Sequence, residues 1–209
     1  MAQIDFFYFF GSCYAYLSVM RIEKLAAEAG IEVRWSPFSV RDLMTEKGYS
    51  LRTQPTKMTY IFRDVERRAR LHGIPFEKPP IWPTDPDQLA NRVGIVAFSQ
   101  GWGREYTLTS FQKWFEGQAL GADESLRATI RSHGRDPDEI ISLANSSETR
   151  AQYDQETDTA RQLGIFGSPT FAVGQEIFWG DDRLEEALAW AKGEHPALIA
   201  DSGPGRLQA

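Results

Sequence analysis

Apolar positions are almost continuous at the start of the chain, in Ile4-Asp5-Phe6-Phe7-Tyr8-Phe9-Phe10, and the run breaks at Gly11-Ser12. A short apolar, aromatic run closed by a turn residue predicts a strand over roughly residues 3–9. Behind it Ala15, Val19, Ile22, Ala26 and Ala29 recur at helical spacing and stop at Gly30, which predicts one helix. Ile31-Glu32-Val33-Arg34-Trp35 then alternates apolar with charged residues before Pro37, the pattern of a second strand. The first unit therefore reads βαβ.

From about Val40 to Leu163 strand signals are missing. Helical patterns follow one another, separated by Pro75 to Pro86, Gly101 to Gly103, Gly121 and Gly134-Arg135-Asp136-Pro137. Leu108, Phe111, Trp114 and Phe115 fall on one side of a helix, as do Ile130, Ile140, Ile141 and Leu143 in later ones, and these stripes read as core. Strands return at Thr170 to Val173 and Glu176 to Trp179, joined by Gly174-Gln175. Asp181 or Asp182 is then placed to cap a closing helix that runs to Lys192. The predicted organisation is an α/β domain from residues 1–39 and 164–193, a helical insertion over 40–163, and a frayed tail over 194–209 carrying Pro196 and Pro204.

Composition narrows the function classes. With 42% hydrophobic and 25% charged residues in 209, the chain is globular and long enough to bury a sizeable core. A net charge of −6 opposes a nucleic-acid partner, since neutralising phosphates needs a concentrated basic surface. Arg63, Arg67, Arg68 and Arg70 cluster locally, but Asp64 and Glu66 interrupt them, so they read as a solvated helical face. No apolar run approaches the ~18 residues of a membrane span, and no signal peptide is expected at the N-terminus. The single Cys13 excludes an intrachain disulfide and fits a reducing, cytoplasmic setting. His72, His133 and His195 lack ligand spacing, so no metal is expected.

Two segments carry candidate chemistry. Where a strand breaks at Gly11 and a helix opens, the first helical N–H groups stand unpaired beside Ser12 and favour an anion. Ser12 is a candidate site residue on that ground, and a simple N-cap on the opposite one. Near the other end, Pro169 in Gly167-Ser168-Pro169-Thr170 follows a turn and opens a β-prone run, where a cis X–Pro bond is tolerated. Together these resemble the thioredoxin superfamily, in which a cis-proline loop packs on the N-terminus of the active-site helix. Positions 12 and 15 of a would-be Cys-x-x-Cys are Ser and Ala, so dithiol redox chemistry is excluded.

Four segments extend the likeness to nearly the whole chain up to about Lys192. They are Phe10-Gly11-Ser12-Cys13-Tyr14-Ala15-Tyr16; Pro55-Thr56-Lys57-Met58-Thr59-Tyr60 with Asp64; Gly167-Ser168-Pro169-Thr170; and Trp179-Gly180-Asp181-Asp182-Arg183. The chain resembles the 2-hydroxychromene-2-carboxylate isomerases and the related class kappa glutathione transferases. These are DsbA-like proteins whose thioredoxin-like fold is interrupted by an all-helical insertion. The resemblance implies glutathione as cofactor and a homodimer. It gives Ser12 the thiol of glutathione, Lys57 a glutathione carboxylate, the backbone of Ser168 beside Pro169 the cysteinyl backbone, and Asp182 the γ-glutamyl ammonium. A solvent-facing Lys57 and a helix-capping Asp182 are the competing readings.

Asp181 stands near the γ-glutamyl carboxylate where the family has Ser or Asn, replacing a donor by an acceptor. The stretch Gly48 to Gln54 lacks the Asn-x-Pro-Pro element of the kappa transferases, which favours the isomerase branch. Cys13 replaces a common Pro, and reads equally as a reactive thiolate or a buried inert residue. Tyr14, Tyr16 and Trp82 are candidates for an aromatic wall, and Asn91 and Arg92 match a substrate-side Asn-Arg element, Arg92 facing a substrate carboxylate.

The implied reaction interconverts 2-hydroxychromene-2-carboxylate and trans-o-hydroxybenzylidenepyruvate, or a close analogue, with glutathione regenerated. The alternatives are a kappa-like glutathione transferase, a DsbA-related oxidoreductase using Cys13, and a thioredoxin-fold module that binds peptide without turnover.

Overall fold

A computed structural model describes residues 2–50, 54–77 and 82–200 of the chain. Strand β1 (Gln3–Tyr8) leads into helices α1 (Cys13–Val19) and α2 (Ile22–Ala29), and strand β2 (Glu32–Pro37) closes the unit. The periodicity predicted one helix across residues 15–29, and the structure has two. The chain turns at Met20-Arg21, where Arg21 bonds back to the Leu17 carbonyl and outward to Glu185 at 2.6 Å. Among the described residues seven helices follow: α3 (Val40–Glu46), α4 (Pro55–His72), α5 (Leu89–Ser99), α6 (Gly103–Phe115), α7 (Asp123–Ser132), α8 (Pro137–Ala144) and α9 (Ser147–Gln162). Strands β3 (Thr170–Val173) and β4 (Glu176–Trp179) fall where the alternation placed them. A 3-10 turn over Asp181–Arg183 precedes α10 (Leu184–Ala191) and a short α11 (Pro196–Ala200). The expected frayed tail is helical at its start, and residues 201–209 lie outside the described residues, as do 51–53 of the Gly48 to Gln54 stretch.

The sheet order is β2-β1-β3-β4, with β1 parallel to β2 and antiparallel to β3. That order explains the continuous apolar run. As an inner strand with helices on both faces, β1, with the two residues that follow it, sends Ile4, Phe6, Tyr8 and Phe10 into one core and Phe7 and Phe9 into another. Phe6 pairs in register with Trp35 on one side and Phe171 on the other, and its ring stacks on Phe171 at 5.3 Å. The larger core runs without a break into the helical segment: Phe10 stacks on Phe111 at 5.4 Å, and Tyr16 lies on Phe115 at 3.8 Å. Phe111, Trp114 and Phe115, predicted as core, are all buried.

Gly11 is required where the strand gives way to the helix. Its φ is 135°, and a Cβ there would sit 2.9 Å from the Phe9 ring. No helix among the described residues is long and apolar enough to cross a membrane.

Candidate active site

Ser12 is the N-cap of α1, its side chain accepting from the Ala15 N–H at 3.3 Å. The same hydroxyl donates to the Ser168 carbonyl at 2.7 Å. In return, the Ser168 hydroxyl accepts from the Phe9 N–H at 3.0 Å. The Ser168–Pro169 bond is cis, and the Pro169 carbonyl accepts from the Gly180 N–H at 3.0 Å. One loop thus ties together the end of β1, the N-terminus of α1 and the turn after β4. These elements are 156 residues apart for Ser12 and Ser168.

On the far side of this loop opens a cleft of about 260 Å³. Ser168, Pro169 and Gly180 form its backbone floor, Trp179 one rim, and Tyr14, Asp64, Arg68, Asp181 and Asp182 its polar lining. Gly167 permits the rim, since a Cβ there would run into the Trp179 indole. Trp179 is 54% exposed and meets the exposed Phe166 ring edge-on at 4.9 Å, making an aromatic ledge beside the cleft.

The polar lining is paired internally. Tyr14 donates its hydroxyl to Asp64 Oδ2 at 2.9 Å, and burial, with the Asp64 carboxylate next, holds the phenol well above its ordinary range. Burial pulls the Asp64 carboxyl up, but hydrogen bonds from Arg67 and Tyr14 together outweigh it and hold the group below its usual value. Arg68 grips Asp181 with Nε at 2.8 Å and Nη2 at 2.7 Å. Asp181 is 2% exposed, and desolvation prevails over Arg68 in setting its pKa, which is raised. The Asp181 carbonyl is braced by Arg21 at 2.9 Å. Asp182 remains exposed, with Oδ2 3.1 Å from Arg183.

Several sequence expectations need correcting. Neither Asp181 nor Asp182 caps the closing helix with its side chain: Arg183 is the N-cap residue of α10, and the Asp181 carboxylate goes to Arg68 instead. Lys57 does not line the cleft. It lies two turns, about 10 Å, before Asp64 on α4, exposed, with its ammonium on the Tyr49 hydroxyl at 2.8 Å. Asn91 and Arg92 are structural, not substrate-facing. Asn91 is wholly buried and pairs with both the N–H and the carbonyl of Phe10, at 3.0 and 3.3 Å, as a neighbouring strand would. It also donates to Asp85 Oδ2 at 2.9 Å. Arg92 spends Nε, Nη1 and Nη2 on Ala144, Asp87 and Asn145, which leaves no fork for a substrate carboxylate. Tyr16 is a core residue whose hydroxyl donates to the Pro75 carbonyl at 2.6 Å, and Trp82 packs against the core. Only Tyr14 of the proposed aromatic wall reaches the cleft.

Cys13 resolves toward the inert reading. It is buried, and loss of solvent pushes its thiol up to about 12, so it is protonated at neutral pH despite its place in the first helical turn. Among the described residues no group of His, Cys, Asp or Glu is arranged to hold a metal ion. Arg68 was missed because Arg63, Arg67 and Arg70 beside it do form exposed pairs with Glu66 and Asp64. The available signal was its position one turn after Asp64, on the same face of α4.

A sheet of this order, with a cis-proline loop closed on the first helix, defines a thioredoxin-type protein. Residues 3–189 match the DSBA-like thioredoxin domain, and the chain belongs to that family. Within it, the 2-hydroxychromene-2-carboxylate isomerase of Pseudomonas putida is 29% identical over 187 residues, 87% of this chain and 90% of that protein. The enzyme of the same name from Sphingobium xenophagum is 25% identical over 186 residues, 87% of this chain and 94% of its own. A solved structure of a 2-hydroxychromene-2-carboxylate isomerase aligns with a TM-score of 0.79 at 29% identity, over 96% of this chain and 99% of that one. A probable DsbA oxidoreductase from Streptomyces coelicolor, 18% identical over 99% of this chain and 93% of its own, shares the fold with a TM-score of 0.65.

Proposed function

We propose that the protein is a glutathione-dependent isomerase of an aromatic degradation intermediate, interconverting 2-hydroxychromene-2-carboxylate and trans-o-hydroxybenzylidenepyruvate or a close analogue. The observation that carries this reading is the 2.7 Å bond between the Ser12 hydroxyl and the Ser168 carbonyl, which joins Ser12, itself outside the cleft lining, to the Ser168-Pro169 loop that lines it. It sets a helix N-terminus and a hydroxyl beside a groove able to take a short peptide.

The residues present fit glutathione. Ser168, beside cis-Pro169, offers the backbone on which an extended tripeptide can add as a strand does, its carbonyl keeping one lone pair while it accepts from Ser12. Asp182 offers an exposed carboxylate for an ammonium, and Arg68 a guanidinium for a carboxylate. When bound, glutathione supplies a thiol that adds reversibly to the conjugated substrate, turning a double bond into a rotatable single bond before elimination. The chain's contribution is electrostatic. The N-terminus of α1, and the Ser12 O–H once it turns from the Ser168 carbonyl to the ligand, favour the charged over the neutral sulfur and so keep a nucleophile available near neutral pH. Cys13 takes no part, because its thiol is buried and protonated. The Trp179–Phe166 ledge and Tyr14 give a planar substrate an apolar surface at the cleft mouth.

The test is to follow formation of the trans product from chromene carboxylate with and without glutathione. The reading predicts turnover only with glutathione, and recovery of free thiol at the end. Equal rates in the two conditions, or none in either, would contradict it. A stable sulfur conjugate in place of regenerated thiol would make the protein a transferase.

A further inference from the structure

Strand pairing along β1 stops short of Ser12. Tyr8, in register with Pro37, is the last residue of the ladder, and Phe9 and Phe10 continue without a strand partner among the described residues. Two side chains stand in for the missing strands. The Ser168 hydroxyl accepts from the Phe9 N–H at 3.0 Å, while Asn91 takes both the N–H and the carbonyl of Phe10. Gly11 then intervenes, at φ 135°, before Ser12. A glycine restrains the chain less than any other residue, so the direction in which the Ser12 hydroxyl leaves the turn depends on how firmly Phe10 is held. The Asn91 amide can hold it in one orientation only: turned over, donor would face donor and acceptor would face acceptor. Asp85 enforces that orientation, its Oδ2 accepting from Asn91 Nδ2 at 2.9 Å and from the Asn91 backbone N–H at 3.3 Å. Oδ1 of Asp85 has no hydrogen-bond partner among the described residues, so a proton can reside there while Oδ2 goes on accepting. The loop that carries Asp85 is itself pinned. The Asp85 carbonyl accepts from Arg41 at 3.0 Å, and the Thr84 hydroxyl and carbonyl accept from the Leu120 and Gly121 N–H groups at 2.7 and 2.8 Å.

We infer that Asn91, oriented by Asp85, is a positioning residue for the Ser12 hydroxyl, holding Phe10 in place while that hydroxyl turns from the Ser168 carbonyl to a ligand's sulfur. This rests on the glutathione reading and deepens it. In the free protein the Ser12 hydroxyl is tied to the cis-proline loop at 2.7 Å, and that bond steadies the turn. When the hydroxyl serves the ligand the bond is given up, and the Asn91 amide is what still fixes the backbone just before Gly11. Neither Asn91 nor Asp85 lines the cleft, and both are buried. Their effect therefore falls on ionisation of the bound sulfur, which needs a well-aimed hydroxyl, and much less on the affinity of the cleft for the neutral thiol.

The experiment compares Asp85→Ala, Asp85→Asn and Asn91→Ala with the parent, all in the full chain carrying Cys13→Ala. Calorimetry at a pH where glutathione is a neutral thiol gives its affinity, and ultraviolet thiolate absorbance against pH gives the point at which the bound thiol ionises. Asp85→Ala removes the acceptor and frees the Asn91 amide to turn over. It is expected to raise the ionisation of bound glutathione by about one pH unit, about tenfold less thiolate at a given pH, with affinity for the neutral thiol within about twofold of the parent. A merely structural role would lower affinity and folding together and leave the ionisation of the bound thiol where it was. Asp85→Asn keeps an oxygen for Asn91 Nδ2 and is expected to restore the parent's ionisation. Asn91→Ala should shift it at least as far as Asp85→Ala; if circular dichroism shows this variant unfolded, the two Asp85 variants decide alone. If Asp85→Ala ionises bound glutathione as the parent does, or Asp85→Asn shifts it as far as Asp85→Ala, the inference falls and the glutathione reading stands. If the parent binds no glutathione, or binds it without lowering its ionisation, both fall.

Discussion

Two polar clusters flank the turn at the end of β1, built from the same residue types and put to opposite uses. Behind the turn, Asp85, Asn91 and Arg92 are 1%, 0% and 7% exposed, and every Arg92 nitrogen is bonded to protein. In front of it, Asp64, Arg68, Asp181 and Asp182 line a cleft, and two of the four keep hydrogen-bonding capacity that faces water. An arginine beside an aspartate or asparagine is thus scaffold in one cluster and recognition surface in the other. What separates them is access to water and whether the arginine is fully paired within the protein. The rear cluster fixes Phe10, and through it the Gly11-Ser12 junction. The front one is left part-open at the place a ligand would enter.

The largest effect expected from breaking this contrast is at Asn91. Asn91→Ala strands the Phe10 N–H and carbonyl and the Asp85 carboxylate, at a cost on the order of 3 kcal/mol of folding stability. Asp182→Asn should leave the urea midpoint almost in place, so equal midpoints for the two variants would remove the distinction. Next is Ser12→Ala, expected to lower glutathione-dependent turnover on the order of 100-fold, the scale of one lost oxyanion donor. The lost N-cap should destabilise by only about 1 kcal/mol. A loss of activity that merely tracks unfolding, checked by circular dichroism, would make Ser12 a cap and nothing more.

Asp85 gives a subtler test. Burial, opposed by Asn91 and backbone N–H groups, raises its carboxyl above the ordinary aspartate value, and Oδ1 has no hydrogen-bond partner among the described residues. With the folded pKa above the unfolded one, the protonated form is favoured by folding. The stabilisation it lends at low pH is lost as pH rises through the folded pKa. Asp85→Asn should therefore flatten that part of the melting-temperature profile and gain most relative to the parent at the alkaline end. An unchanged profile would place the titration elsewhere. Smaller still are Cys13→Ala, expected to keep turnover within about twofold since its thiol is buried and protonated, and Lys57→Ala, expected to leave the thermal response to glutathione nearly unchanged. A clear loss with Lys57→Ala would mean that the ligand reaches beyond the cleft along α4.

Much of this architecture was legible because it is written in periodicity. The pattern of Thr170 to Val173 and Glu176 to Trp179 located β3 and β4, and the nearly continuous apolar run at the N-terminus announced β1 as a strand, its burial on both faces emerging only from the sheet order. Gly11-Ser12 and Ser168-Pro169 gave the junction between distant segments. Side-chain partnership was not legible, since it depends on what folds opposite. Nothing local distinguishes Arg92, whose acceptors come from α5 and α8 and their flanks, from Arg68, whose acceptor lies 113 residues away. Asn91-Arg92 read as a site because its residue types suit one, and burial decided otherwise. Arg68 read as solvated because its helical neighbours are. The break at Met20-Arg21 likewise depends on Arg21 reaching Asp181 and Glu185 across the fold.

The central claim is that this chain activates a thiol it does not itself carry, at the N-terminus of α1. The most direct measurement is the ultraviolet thiolate absorbance of glutathione titrated against pH in the presence of the protein, using the Cys13→Ala background so that only the ligand's sulfur is read. The account predicts ionisation at a lower pH than for free glutathione, and a return toward the free value in Ser12→Ala. Bound glutathione that ionises as it does in water, with or without the Ser12 hydroxyl, would contradict it.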